Sequence, residues 1–153
     1  MAGEKMQAFA AYLEDKNLFA ENQFDYWMES SEMSAHNKLL SGGAILICRM
    51  KYDCAFYLER YTHSPDLIAA LVSTWLMDND KGRVKDGLEF PSLEVDMINE
   101  RDASAVDLIW QITFIEDVVI VEDPNGVIDF EGKTYSLGNE EIDEATDFDV
   151  ERG

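Results

Sequence analysis

A chain of 153 residues, 46% apolar and 11% aromatic, has room for one domain with a real core and is too hydrophobic to remain disordered. Its formal charge of −20, from 32 acidic and 12 basic residues, excludes non-specific attachment to nucleic acid, whose phosphates it repels. No run of about 18 apolar residues offers a membrane span, and the acidic start, with Glu4, Glu14 and Asp15, lacks the apolar stretch of a signal peptide.

Residues 4–16 place Met6, Phe9, Ala10 and Leu13 on one helical stripe, and Asn17 is the expected stop. Asn22 to Met33 alternates Phe24, Tyr26 and Met28 against Asp25, Trp27 and Glu29, which predicts a strand. Ser34 to Gly43, with the Gly42-Gly43 pair, reads as the connection that follows. Ala44 to Tyr61 is a long strand. Leu46, Cys48, Met50, Tyr52, Cys54, Phe56 and Leu58 take its buried face, and Arg49, Lys51, Asp53 and Glu59 take the other. Two cysteines on one strand six residues apart are about 20 Å apart, too far to bond to each other, which fits a reducing history.

Ser64-Pro65-Asp66 opens a second helix: a capping hydroxyl, a proline suited to the first turn, and a carboxylate at the positive end of the dipole. The helix runs to Asp78-Asn79 with a broad apolar face of Leu67, Ile68, Leu71, Val72, Trp75 and Leu76. Lys81 to Gly87 is a loop that carries Lys81, Arg83 and Lys85. Phe90 to Asn99 is expected to form a hairpin with the strand at Ala105 to Val121, through a turn at Glu100-Arg101-Asp102. In that last strand Val106, Leu108, Trp110, Ile112 and Phe114 share one face, while Asp107, Gln111, Thr113 and Asp117 share the other. Turn signals at Pro124-Asn125-Gly126 and Glu131-Gly132-Lys133 bracket two short strands, 127–130 and 134–137, of a β-arm spanning about 122–137. Residues 139–151 hold seven acidic residues and no basic one, a tail expected to be flexible. The predicted organisation is a single α+β domain over residues 1–138. It comprises an antiparallel sheet with two helices packed on one face, a projecting β-hairpin arm, and an acidic tail at 139–153.

The residues carry no pattern for catalysis, cofactor or metal. His36 and His63 have no ligand-spaced partners, and there is no GxSxG, phosphate-binding glycine loop or HExxH. The unusual feature is an apolar group on the sheet face away from the helices: Ile45, Ile47 and Tyr57 on one strand, Ile109, Ile115 and Val119 on another. Trp27 joins them by parity, and Val127, Ile128 and Phe130 lie on the arm. Either another subunit covers these residues or the arm folds back over them; both readings stand. The basic loop (Lys81, Arg83, Lys85) is opposite in charge to the acidic tail, so the two are candidates for contact between subunits. The acidity itself serves solubility, a surface that DNA slides past, or mimicry of DNA aimed at a basic protein.

Three segments carry a resemblance: MKYDCAFYLERY (50–61), SPDLIAALVSTWL (64–76) and GLEFPSLEVDMINERDASAVDLIWQITFIEDVVIV (87–121). Within the third, Gly87-Leu88-Glu89-Phe90, Asp96-Met97-Ile98-Asn99 and Val106-Asp107-Leu108-Ile109-Trp110 follow in order. This set resembles the tail completion protein R family of contractile-tailed temperate phages over most of residues 4–137, and the acidic segment after Gly138 has no counterpart. The resemblance implies a tail-terminator-like fold and a structural virion protein with no catalytic residues. Such a protein would form a homohexameric ring, cap the tail tube and sheath, and present a surface to the head-tail connector protein. DNA would pass through the ring without specific binding, and assembly would take place in the bacterial cytoplasm. The competing reading is an acidic DNA mimic or inhibitor that binds a basic DNA-handling protein.

Overall fold

The computed structural model describes residues 3–97 and 105–138, without the side chain of Met97. Helix α1 spans Glu4–Glu14 and α2 Pro65–Asn79; the strands are β1 (Phe24–Leu39), β2 (Ile45–Tyr61), β3 (Glu94–Met97), β4 (Val106–Glu122), β5 (Ile128–Phe130) and β6 (Lys133–Leu137). The strand order is β1-β2-β4-β6-β5, with β3 paired to β4. The pairs β3–β4, β4–β6 and β5–β6 are antiparallel, so the class is α+β. By their contacts the described residues fall into two compact units: 3–31, 52–97 and 105–114 form one, and 32–51 with 115–138 form the other. Strands β1, β2 and β4 each contribute residues to both.

The helix-bearing unit is built on the two strongest alternations in the sequence. Tyr52, Cys54, Phe56 and Leu58 of β2 and Leu108, Trp110, Ile112 and Phe114 of β4 are all buried in one cluster. From α1 come Met6, Phe9, Ala10 and Leu13; from α2 come Ile68, Val72, Trp75 and Leu76. Phe56 stacks on Trp110 with ring centroids 5.5 Å apart and planes 10° apart, and meets Phe9 edge-on at 5.1 Å. Trp75 meets Phe9 at 5.3 Å and Phe114 at 6.3 Å, both in the edge-to-face geometry that the ring quadrupoles favour. Ser64 caps α2 as expected, accepting from the Asp66 N–H at 3.2 Å. Asn17 takes a left-handed φ of 57°, just past the end of α1.

The alternation of β2 breaks at its end, where Tyr61 is buried although it is out of phase with Leu58. Arg60 has φ 51°, and this one residue turns the chain over. Its N–H donates to Asp107 Oδ1 at 3.0 Å, while Gln23 Nε2 donates to the Glu59 and Arg60 carbonyls, both at 2.9 Å. The displaced backbone groups are thereby satisfied.

The all-strand unit has a small core: Ile45, Ile120 and Tyr135 are buried, with Ile47, Ile128 and Phe130 packed beside them. Its turns are tightly specified. Gly126 has no room for a side chain, because a Cβ there would stand 2.0 Å from the Tyr135 carbonyl oxygen. Glu131 and Gly132, at φ 51° and 81°, form the two-residue turn that joins β5 to β6.

Two expectations are corrected. Residues 34–39 are not a connection: β1 continues to Leu39, and the reversal is confined to the few residues around Gly42 and Gly43, whose φ values are 77° and 88°. The strand went unread because residues 32–39 are all exposed, so no buried face imposes an alternation. The strand expected at Phe90–Asn99 begins only at Glu94. Ahead of it Pro91 has no N–H to give a ladder, the Glu89 carbonyl accepts from Arg83 Nη2 at 2.6 Å, and the Arg83 guanidinium lies 5.3 Å from the centre of the Phe90 ring. Residues 98–104, with the expected turn, and the acidic tail lie outside the described residues.

Candidate assembly surfaces

The face of the helix-bearing unit that lies opposite its core is held by polar links between strands. Tyr57 donates its hydroxyl to Asp107 at 2.9 Å. Asp53 accepts from Thr113 at 2.6 Å and from Ser30 at 3.1 Å, and Gln111 donates to Glu29. The links Tyr57–Asp107 and Asp53–Thr113 run in opposite senses along β2 and β4, as antiparallel neighbours require. The bond to Asp107 raises the Tyr57 pKa above its ordinary value, burial adds to this, and the negative charges of Asp107, Glu59 and Asp96 push the same way.

Between these links lies a groove of about 460 Å³. Trp27, Ala55, Tyr57 and Ile109 supply its apolar surface, and Glu29 and Glu94 supply carboxylates. Trp27 is 44% exposed and Ile109 36%. Three of the residues singled out from the sequence, Trp27, Tyr57 and Ile109, therefore come together on one open face. Glu29, Glu94 and Gln111 were missed as a group, since only the register of β1, β3 and β4 makes them neighbours; Glu94, for example, pairs with Ile109.

The remaining apolar candidates lie in the all-strand unit. Ile45 is buried, and Ile47, Ile128 and Phe130 pack against its cluster. Ile47, Ile128 and Phe130 are only half-buried there. Ile115 and Val119 are half-buried, and Val127 is 91% exposed.

The basic loop divides. Arg83 is 1% exposed and bonded to Asp80 at 2.7 Å, and the same carboxylate receives Lys5 Nζ at 2.7 Å. Arg83 therefore ties the loop to its own unit and is not presented outward. Lys81, Val84 and Lys85 are exposed. Among the described residues no group of three His, Cys, Asp or Glu side chains is placed to hold a metal ion, and no helix is long and apolar enough to cross a membrane.

These surfaces are an edge strand, an acidic apolar groove and isolated outward side chains, set on an α+β frame. The chain belongs to the P2 phage tail completion protein R family, whose model matches residues 3–139. Membership makes it a structural component of the phage virion with a role in completing the tail. It is also 29% identical over 131 residues to a protein of Haemophilus phage HP1 (strain HP1c1), described as an uncharacterized 19.2 kDa protein in the rep-hol intergenic region. That match covers 83% of this chain and 76% of the relative. No solved structure matches.

Proposed function

We propose that the protein completes the tail by forming a ring, on the homohexameric plan, at the end of the tail tube and sheath of a contractile tail. The ring stops their growth and presents the surface that the head-tail connector protein meets. In this reading both helices cover one face of the sheet, and β5 and β6 act as the arm by which one copy engages the next. DNA passes through the ring without specific binding, because carboxylates repel its phosphates.

The observation that carries the reading is β1. It is terminal in the strand order, so its outer edge is unpaired among the described residues, and all residues from Glu32 to Leu39 are exposed. A long open edge is a template for a strand from another chain, and natural monomers suppress such edges. Copies this acidic repel one another, so a specific pairing surface is needed to bring them together.

The test is complementation of the phage that carries this gene, after disruption of its own copy. Deletion of residues 122–137 is expected to leave the helical circular dichroism intact while abolishing tail completion. Normal tails from the deletion variant would sink the role given to the arm.

A further inference from the structure

We propose that the loop Lys81–Lys85 of one copy docks into the groove bounded by Trp27, Ile109, Glu29 and Glu94 on the next. This inference rests on the ring reading above and names the two surfaces that meet in it.

The argument begins with charge. A chain of net −20 associates with itself only where one of its few cations meets carboxylates of its neighbour. Five described cations have an ionic partner in their own chain: Lys5 and Arg83 on Asp80, Arg49 on Asp117, Arg60 on Glu59, and Lys133 on Glu122. Of the exposed lysines without one among the described residues, Lys16, Lys38 and Lys51 stand singly, and only Lys81 and Lys85 share one loop. Lys81 and Lys85 have no ion pair among the described residues, and both are exposed. Between them Val84 is 71% exposed. Arg83 is buried against Asp80 and the Glu89 carbonyl, so the loop that presents Val84 is anchored at its middle. An anchored loop loses little freedom on binding.

The groove has the complementary pattern. Its apolar surface includes two partly exposed side chains, Trp27 and Ile109, and it carries the exposed carboxylates Glu29 and Glu94. An apolar residue between two cations thus faces an apolar floor between two carboxylates. Loop and groove are different patches of one chain, so in the ring reading the contact repeats head-to-tail from copy to copy and the rotation closes. Its area is small, so it acts as the register-setting anchor of a larger interface that includes the β1 edge.

The test is a cross-link in assembled tails. The V84C/I109C double variant is supplied in trans to the phage, and tails are isolated, oxidised and run without reductant. A ladder of dimers and higher multimers is expected from the double variant and from neither single variant, which also controls for Cys48 and Cys54. A mixture of V84C and I109C copies should give dimers and stop there. Adding K81E/K85E should abolish the ladder, and adding E94K as well should restore part of it. Completed tails with no ladder would overturn the docking contact and leave tail completion standing. Cross-linking of the I109C single variant to a different tail protein would assign the groove to that partner and overturn self-docking. Absence of the wild-type chain from completed tails would remove the ring reading and this contact together.

Discussion

The two units draw on the same three long strands and reach opposite balances. In the helix-bearing unit one face of β2 and β4 meets a dense set of aromatic and aliphatic side chains, and 18 of the described residues form one buried cluster. Among the described residues of the all-strand unit the buried cluster is only Ile45, Ile120 and Tyr135, with Leu46 buried besides, although its strands are just as continuous. Hydrogen-bonded strands alone contribute little net stability, because water satisfies the same groups in the unfolded chain; burial decides how firmly a sheet segment is held. The first unit therefore has the means to hold its own fold, and the second is suited to gain burial from a neighbour.

Phe56→Ala breaks the first side of this comparison most severely. Phe56 is fully buried at the centre of the ring stack, and its loss is expected to cost about 3–5 kcal/mol, read from denaturant unfolding followed by tryptophan fluorescence. A cost below ~1.5 kcal/mol would show that the stack is not the centre of the core.

Gly126→Ala tests the second side. The added methyl meets the Tyr135 carbonyl, so a loss of about 1–3 kcal/mol or more is expected in the all-strand unit. Amide exchange should speed up in β5 and β6 while the near-ultraviolet signal of the aromatic core persists. If both units instead melt in a single transition, the contrast between them is structural and not energetic.

The smallest effect concerns Tyr57. Its pKa is raised by the hydrogen bond to Asp107, then by burial and nearby negative charge. The folded state thus favours the neutral phenol. The stabilisation is fully present below the unfolded value, about 10, and is lost as pH climbs through the higher folded value. Wild type and Tyr57→Phe should therefore converge in stability at alkaline pH, and a gap that widens there would refute this account.

How much was legible in advance follows from the same contrast. Where one face is buried, the alternation is written in the residues: β2 from Tyr52 to Leu58 and β4 from Leu108 to Phe114 emerged with their inward faces correct, and α2 with its Ser64 cap. Cys48 and Met50, assigned to the buried face of β2, are instead half-buried, and Ile45, assigned to the other, is buried. Where neither face is buried, as at Ser34–Leu39, the residues carry no period, and a strand looked like a connection. Arg83 was missed for a different reason. A cation in a polar loop looks exposed until the fold brings Asp80 and Glu89 around it.

By itself the sequence determined the α+β class, the two helices, the inward faces of β2 from Tyr52 and of β4 to Phe114, and the acidity that governs what the chain can approach. These follow from local periodicity, capping chemistry and a sum of charges, none of which needs a partner to be known. Only the tertiary structure decided that Trp27, Ile109, Glu29 and Glu94 share one groove, that Arg83 is internal while Lys81, Val84 and Lys85 face outward, and that Ile45 is covered by its own chain. Each of those depends on strand register, on how a loop folds around one of its own side chains, or on a contact between residues distant in sequence, and all three are properties of the folded chain.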